Sequence, residues 1–154
     1  MESKNISKRV NLVSVKLIKE GSILYESRRV SSPKDAFELG KEFLIDSDRD
    51  REKLILVCLD NKNQPTSINT VSVGSLNSSI VHPREVFNVA ILSNSANIIV
   101  YHNHPSRDVT PSKEDINITE RLKEAGKILG IELIDHIIVG SNSSYYSFKE
   151  KGDI

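Results

Sequence analysis

Hydrophobic and polar residues follow patterns along the chain that predict strands interleaved with helices. Alternation over residues 10–18 (VNLVSVKLI) and the segment 22–26 (SILYE) predict two strands joined by a turn. The unbroken apolar runs 54–59 (LILVCL) and 97–101 (NIIVY) predict strands that are buried on both faces. Further strands are expected at 66–73, 131–139 and 144–148.

Three helices are predicted from apolar positions at helical spacing and from residues that begin or end helices. Ser32 as N-cap and Pro33 at the first helical position begin the helix in SSPKDAFELGKEFLID. A short helix is expected over 83–92, and the longest over 113–129, before Gly130. The inward face of the longest helix is expected to carry Ile116, Leu122, Ala125 and Leu129. Strands interleaved with about three helices indicate the α/β (α+β) class.

Composition predicts one domain over residues 1–154 in the cytoplasm, with no membrane partner. Lys plus Arg and Asp plus Glu both number 21, so the chain lacks the basic footprint typical of nucleic-acid binders. Residues 1–29 are locally basic and could contact a polyanion. A solvated face is the preferred interpretation, because charged runs usually lie at the surface. The single cysteine, Cys58, fits a reducing compartment, and neither a signal peptide nor a membrane-spanning apolar run is visible.

Two of the four histidines stand one residue apart in YHNHPSRDVTPSKED, residues 101–115. If the preceding strand continues, its period of two puts His102 and His104 on one face. Together with Asp115 they would leave an open fourth position on a tetrahedral zinc ion, as in catalytic sites. The alternative is structural: Ser112 as N-cap with Asp115 at N3 is similar to a capping box. Both interpretations can hold together, because a cap can place Asp115 where a metal site needs it.

The spacing H-x-H-x(7)-S-x(2)-D over these residues resembles the motif of the JAMM (JAB/MPN) metalloprotease family. The stretches VHPREVF, HNHPS, TPSKEDI and ELIDHIIVG resemble its bacterial RadC-like branch, and the likeness is strongest over 74–148. The resemblance implies a curved mixed β-sheet flanked by helices, of cytidine-deaminase-like architecture, with one zinc ion and hydrolase chemistry. It predicts cleavage of an amide or isopeptide bond, in an unidentified peptide or protein, by metal-activated water.

Carried over to this sequence, the resemblance makes His102, His104 and Asp115 the zinc ligands. Ser112 would donate a hydrogen bond to the developing oxyanion. The catalytic acid of the family lies at the start of an earlier strand, a position that Glu52 matches. Glu85 competes for this role, but acids are common where a helix begins, so Glu52 is preferred.

The chain departs from RadC-like sequences in two places. Arg107 follows HNHPS where these proteins generally have glycine, which adds a cation beside the metal site. No helix-hairpin-helix region is visible, which weakens the alternative of a DNA repair or recombination factor acting on or near nucleic acid. His136 in the last apolar strand is expected to be structural, with orientation of the site as its alternative role.

Overall fold

Five strands form one mixed sheet in the computed structural model, which describes residues 6–45, 51–74 and 81–154. The elements are α1 (Pro33–Ile45), β1 (Lys53–Leu59), β2 (Pro65–Val73), α2 (Pro83–Leu92), β3 (Asn97–Asn103), α3 (Lys113–Leu129), β4 (Glu132–Val139) and β5 (Tyr145–Ser147). The strand order is β2-β1-β3-β4-β5. Only the pair β3 and β4 is parallel, with α3 as its crossover, and the other neighbours are antiparallel. The predicted α+β class is confirmed.

The central strands are buried on both faces, as their continuous apolar runs predict. In β1, Ile55 and Val57 face the cluster under α1, whereas Leu54 and Leu56 face the cluster under α2 and α3. The strand β3 alternates in the same way, with Val100 on the α2 and α3 side. This alternation decides on which side of the sheet the residues at the end of β3 lie.

Helix α1 lies very close to β3 because Gly40 carries no side chain. The Tyr101 hydroxyl donates a buried hydrogen bond of 2.8 Å to the carbonyl of Ala36. A Cβ atom on Gly40 would overlap the Tyr101 ring. The glycine therefore sets the distance between helix and sheet.

The two strands predicted at 10–18 and 22–26 are wrong. The structure shows no strand between residues 6 and 24, and apolar side chains such as Leu12 and Leu24 are almost fully exposed there. Alternation makes a strand only where a neighbour supplies backbone hydrogen bonds, and no ladder joins this segment to the sheet within the described residues.

The predicted inward face of α3 is wrong at two positions. Ile116 and Leu129 are 44% and 47% exposed, while Leu122 is buried as expected. The buried face instead carries Asp115, Thr119, Leu122 and Gly126. It begins with two polar residues because the first turns of α3 pack against polar side chains of β3 and β4.

The start of the locally basic segment 1–29 lies outside the described residues, as do residues 46–50 and 75–80. Among the helices that are described, none has the length and apolar character needed to cross a bilayer.

Candidate metal centre

The structure brings the two neighbouring histidines and Asp115 together at one end of β3. Nε2 of His102 and Nε2 of His104 are 2.9 Å apart. Asp115 places Oδ1 at 3.1 Å from His102 Nε2 and Oδ2 at 3.1 Å from His104 Nε2. His102 and Asp115 are buried, and the His104 side chain is 14% exposed. The three donor groups thus converge on one largely buried point.

The N-terminus of α3 places Asp115 by a reciprocal cap. The Ser112 hydroxyl oxygen accepts a hydrogen bond from the Asp115 backbone N–H at 3.1 Å. Asp115 Oδ2 accepts one from the Ser112 backbone N–H at 2.8 Å. Because the cap uses a lone pair of the Ser112 oxygen, the hydroxyl hydrogen remains available as a donor. The capping box and the contacts with both histidines are present together.

The ring of His104 is held so that Nε2 faces Asp115. Its Nδ1 lies 2.5 Å from the carbonyl oxygen of Asp108, which can only accept a hydrogen bond. The hydrogen of a neutral His104 is therefore on Nδ1, which leaves a lone pair on Nε2. His102 Nδ1 lies 2.7 Å from Nε2 of His136, so it too has a buried partner on the side away from Asp115.

The contacts shift the ionisation of both partners. Burial alone would raise the pKa of Asp115, but the interactions with His102 and His104 and the hydrogen bond from the Ser112 backbone outweigh it and lower that pKa strongly. The hydrogen bond with Asp115 raises the pKa of His104, burial opposes the rise, and the Asp108 carbonyl and the charges of Asp115 and Glu52 add to it. The site therefore concentrates negative charge that attracts a proton or a metal ion.

The residues fit a divalent cation by their chemistry and spacing. Two imidazole nitrogens and a carboxylate lie with all donor atoms within 4.8 Å of one another. Two ligands of a tetrahedral zinc ion, each bound at 2.0–2.1 Å, lie about 3.3 Å apart. The observed separations of 2.9 and 3.1 Å are close to this value. A cation would also neutralise the repulsion between the facing lone pairs.

Glu52 lies near the histidines, and Glu85 does not share this position. The antiparallel register pairs Leu54 with His102, and continuing it by two residues places Glu52 opposite His104. The effect of Glu52 on the pKa of His104 agrees with this proximity. Glu85 is exposed in the first turn of α2.

Asn103 forms hydrogen bonds with the backbone on both sides of Glu52, a contact that no sequence pattern predicts. Its Oδ1 accepts a hydrogen bond of 2.7 Å from the Lys53 N–H, and its Nδ2 donates one of 3.0 Å to the Arg51 carbonyl. The residue between the two histidines thus joins β3 to the start of β1, directly after Glu52. A polar residue at a buried strand end was the only signal of this contact.

No sequence pattern predicts a role for Thr119. For His136 the sequence favours a structural role, with orientation of the site as the alternative. Thr119 Oγ1 lies 2.6 Å from Nδ1 of His136, and both residues are buried. Burial keeps the pKa of His136 well below its ordinary value. Asp135 is structural: it accepts hydrogen bonds from the Ser147 hydroxyl at 2.6 Å and the Lys149 N–H at 3.0 Å.

Arg107 occupies a backbone conformation that favours glycine, the residue that the family resemblance predicts at this position. Its φ is +68°, and its N–H bonds to the His104 carbonyl at 2.9 Å, which closes a tight turn. The left-handed region favours glycine, so an arginine is strained in this place. No donor group of the candidate metal centre is displaced by it.

Two cavities border the centre. One, of about 450 Å³, has His102, Asp115 and His136 in its wall, together with Leu54, Ile118 and Arg121. The other, of about 230 Å³, has His104 in its wall, together with Leu44, Asn103, Arg107 and Gly140. The candidate centre therefore lies between these two cavities.

Comparison with known proteins identifies the family. The profile of the RadC-like JAB domain matches residues 30–153, so the chain belongs to the RadC-like JAB family. A UPF0758 protein of Clostridium botulinum (strain Hall) is 49% identical over 152 residues, which cover 97% of this chain and 65% of that protein. A UPF0758 protein of Methanosarcina barkeri is 50% identical over 125 residues, or 81% of this chain and 53% of that protein. This chain spans less than two thirds of the length of these relatives.

Proposed function

We propose that this chain is a zinc-dependent hydrolase that cleaves an amide or isopeptide bond. The observation that carries the proposal is the convergence of His102, His104 and Asp115 on one point. Two imidazoles and a carboxylate suit zinc, and three protein ligands leave one position open. A zinc ion bound there would acidify a water molecule and polarise the carbonyl of the substrate.

Glu52 and Ser112 supply the proton transfer and the charge stabilisation in this proposal. Glu52 takes a proton from the attacking water and returns it to the leaving nitrogen as the carbon–nitrogen bond breaks. The hydroxyl then ends on the carbonyl carbon and the proton on the amine. The free hydrogen of the Ser112 hydroxyl donates to the oxyanion that forms during the addition. The hydrogen bonds of Asn103 support Glu52 as the base, since they fix the backbone on both sides of that residue.

A peptide or protein is the substrate class that the surroundings of the site favour. The two cavities approach the centre from different sides, so an extended chain can reach across it. Action on nucleic acid has no comparable support, because the formal charge of the chain is zero.

The test combines metal removal with one pair of variants. The protein is purified without chelator and assayed by mass spectrometry against linear and isopeptide-linked peptides. Hydrolysis should stop on zinc removal and return on zinc addition. Glu52→Gln should keep zinc and lose at least ~10²-fold in rate, as expected for loss of a general base.

Glu85→Gln is the matched control, since Glu85 is an exposed acid of the first turn of α2. It should retain the wild-type rate. Loss of activity in Glu85→Gln with an active Glu52→Gln would reverse the assignment of the base. The absence of any zinc-dependent cleavage across both peptide classes would contradict the proposed function.

A further inference from the structure

A chain of buried polar groups runs behind His102 and connects it with the backbone of Asp115. Thr119 Oγ1 bonds to the Asp115 carbonyl oxygen at 2.6 Å. The same hydroxyl lies 2.6 Å from His136 Nδ1, and His136 Nε2 lies 2.7 Å from His102 Nδ1. None of these four residues is more than 3% exposed. Two of the candidate metal ligands are therefore joined by a path of buried polar groups.

The chemistry of the groups fixes the direction of the first two hydrogen bonds. A carbonyl oxygen can only accept, so Thr119 must give its single hydroxyl hydrogen to Asp115. The Thr119 oxygen can then only accept from His136. Nδ1 of His136 must therefore carry a hydrogen.

Burial fixes the direction of the last hydrogen bond. The His136 ring is fully buried and stacks on Phe148 with ring centres 4.9 Å apart and planes 7° apart. The hydrogen-bond partners of this ring within the described residues are Thr119 and His102, and neither is a carboxylate. A buried imidazole without a carboxylate partner stays neutral, with a single hydrogen. Since Nδ1 carries that hydrogen, Nε2 of His136 accepts, and Nδ1 of His102 must donate.

We infer that Thr119 and His136 are positioning residues that hold His102 with its hydrogen on Nδ1 and its Nε2 lone pair directed at the metal centre. This inference rests on the proposed function, because the lone pair matters only if a metal ion binds. His104 obtains the same arrangement from the Asp108 carbonyl alone. Metal-binding histidines commonly donate their second N–H to a carbonyl or carboxylate. Here a neutral histidine takes that place, and a threonine hydroxyl sets its tautomer.

The first experiment determines the tautomers in the metal-free protein by ¹⁵N–¹H NMR of the imidazole rings. The wild type should show His102 and His136 each protonated on Nδ1. Thr119→Val removes the hydroxyl at nearly constant shape, so both rings should change to the other tautomer or to a mixture. Thr119→Ser keeps the hydroxyl and should match the wild type. A wild-type His102 protonated on Nε2, or unchanged tautomers in Thr119→Val, would overturn the inference.

The second experiment measures zinc affinity by competition with a coloured chelator. Thr119→Val should bind zinc about 10- to 100-fold more weakly, the usual effect of losing a partner of a metal ligand. Thr119→Ser should remain close to the wild type. Circular dichroism of both variants in chelator checks that each is folded. Equal zinc affinity in a folded Thr119→Val and the wild type would show that Thr119 and His136 have no positioning role.

A substitution of His136 provides an independent check. His136→Gln retains an amide oxygen that can accept from His102, whereas His136→Leu retains no acceptor. Glutamine should therefore preserve more zinc affinity than leucine, and equal loss would count against the inference. A wild type that binds no zinc would overturn the proposed function, while the tautomers of the metal-free protein would still decide the inference.

Discussion

Asp115 Oδ2 accepts a hydrogen bond from the Ser112 backbone at 2.8 Å, while the Asp115 backbone donates to the Ser112 hydroxyl at 3.1 Å. The same Oδ2 atom lies 3.1 Å from His104 Nε2. A helix cap thus fixes the carboxylate that faces both histidines. The position of this side chain is therefore compatible with both interpretations of the sequence, as a helix cap and as a metal ligand.

Gly40 should not tolerate a side chain. Gly40→Ala should lower the free energy of unfolding by about 1–3 kcal/mol, because the added methyl group forces α1 away from Tyr101. Urea denaturation measures this directly. Gly21→Ala is the matched control, since open space surrounds Gly21, and it should change stability by less than about 0.5 kcal/mol. Equal effects of the two substitutions would show that the contact of Gly40 is not constraining.

Arg107→Gly should stabilise the turn after His104. A left-handed backbone costs a residue with a side chain about 1–2 kcal/mol. Glycine removes this cost but loses about 0.5–1 kcal/mol through its freedom in the unfolded chain. The net gain should reach up to about 1 kcal/mol in urea denaturation. A loss of more than about 1 kcal/mol would mean that the arginine side chain makes stabilising contacts that outweigh the strain.

Much of the fold was predictable, because burial and helix ends leave local signals. The apolar runs of β1 and β3 identify strands covered on both faces, and Ser32 with Pro33 identifies the start of α1. The strand predicted at 10–18 is wrong because alternating apolar residues form a strand only where a neighbouring strand supplies backbone hydrogen bonds. The inward face of α3 was predicted wrongly because apolar residues were expected there, whereas Asp115 and Thr119 are polar and buried.

The residues of the candidate metal centre could be predicted from their spacing, whereas the residues that contact them could not. His102 and His104 are two positions apart in a strand, so their shared side follows from the local backbone. Asn103 contacts the backbone of residues 51 and 53, and His136 contacts Thr119 from another element. These contacts depend on strand register and helix placement, which no local pattern specifies.

The metal-free protein should lose stability as the pH rises above about 6.5. The pKa of His104 is raised in the folded state, mainly by its hydrogen bond with Asp115. The stabilising effect is complete below the pKa of about 6.5 in the unfolded chain, and disappears as pH rises through the folded value. Thermal denaturation in chelator measures this change. His104→Asn should remove most of the slope, and an unchanged slope in that variant would contradict the assigned cause.

The zinc content of two alanine variants tests the central claim, that Asp115 is a metal ligand as well as a capping residue. Asp115→Ala and Ser112→Ala each remove half of the cap. Both should therefore lower the melting temperature in chelator, with losses of about 0.5–2 kcal/mol. Zinc content should separate the two variants, since Ser112 contributes no ligand to the proposed site.

The decisive measurement is the number of zinc ions per chain in Asp115→Ala, determined by plasma mass spectrometry on protein purified without chelator. The wild type and Ser112→Ala should each hold one equivalent, whereas Asp115→Ala should hold far less. Full zinc occupancy in Asp115→Ala, together with a lowered melting temperature in chelator, would show that Asp115 acts only as a capping residue. That result would contradict the proposed metal centre.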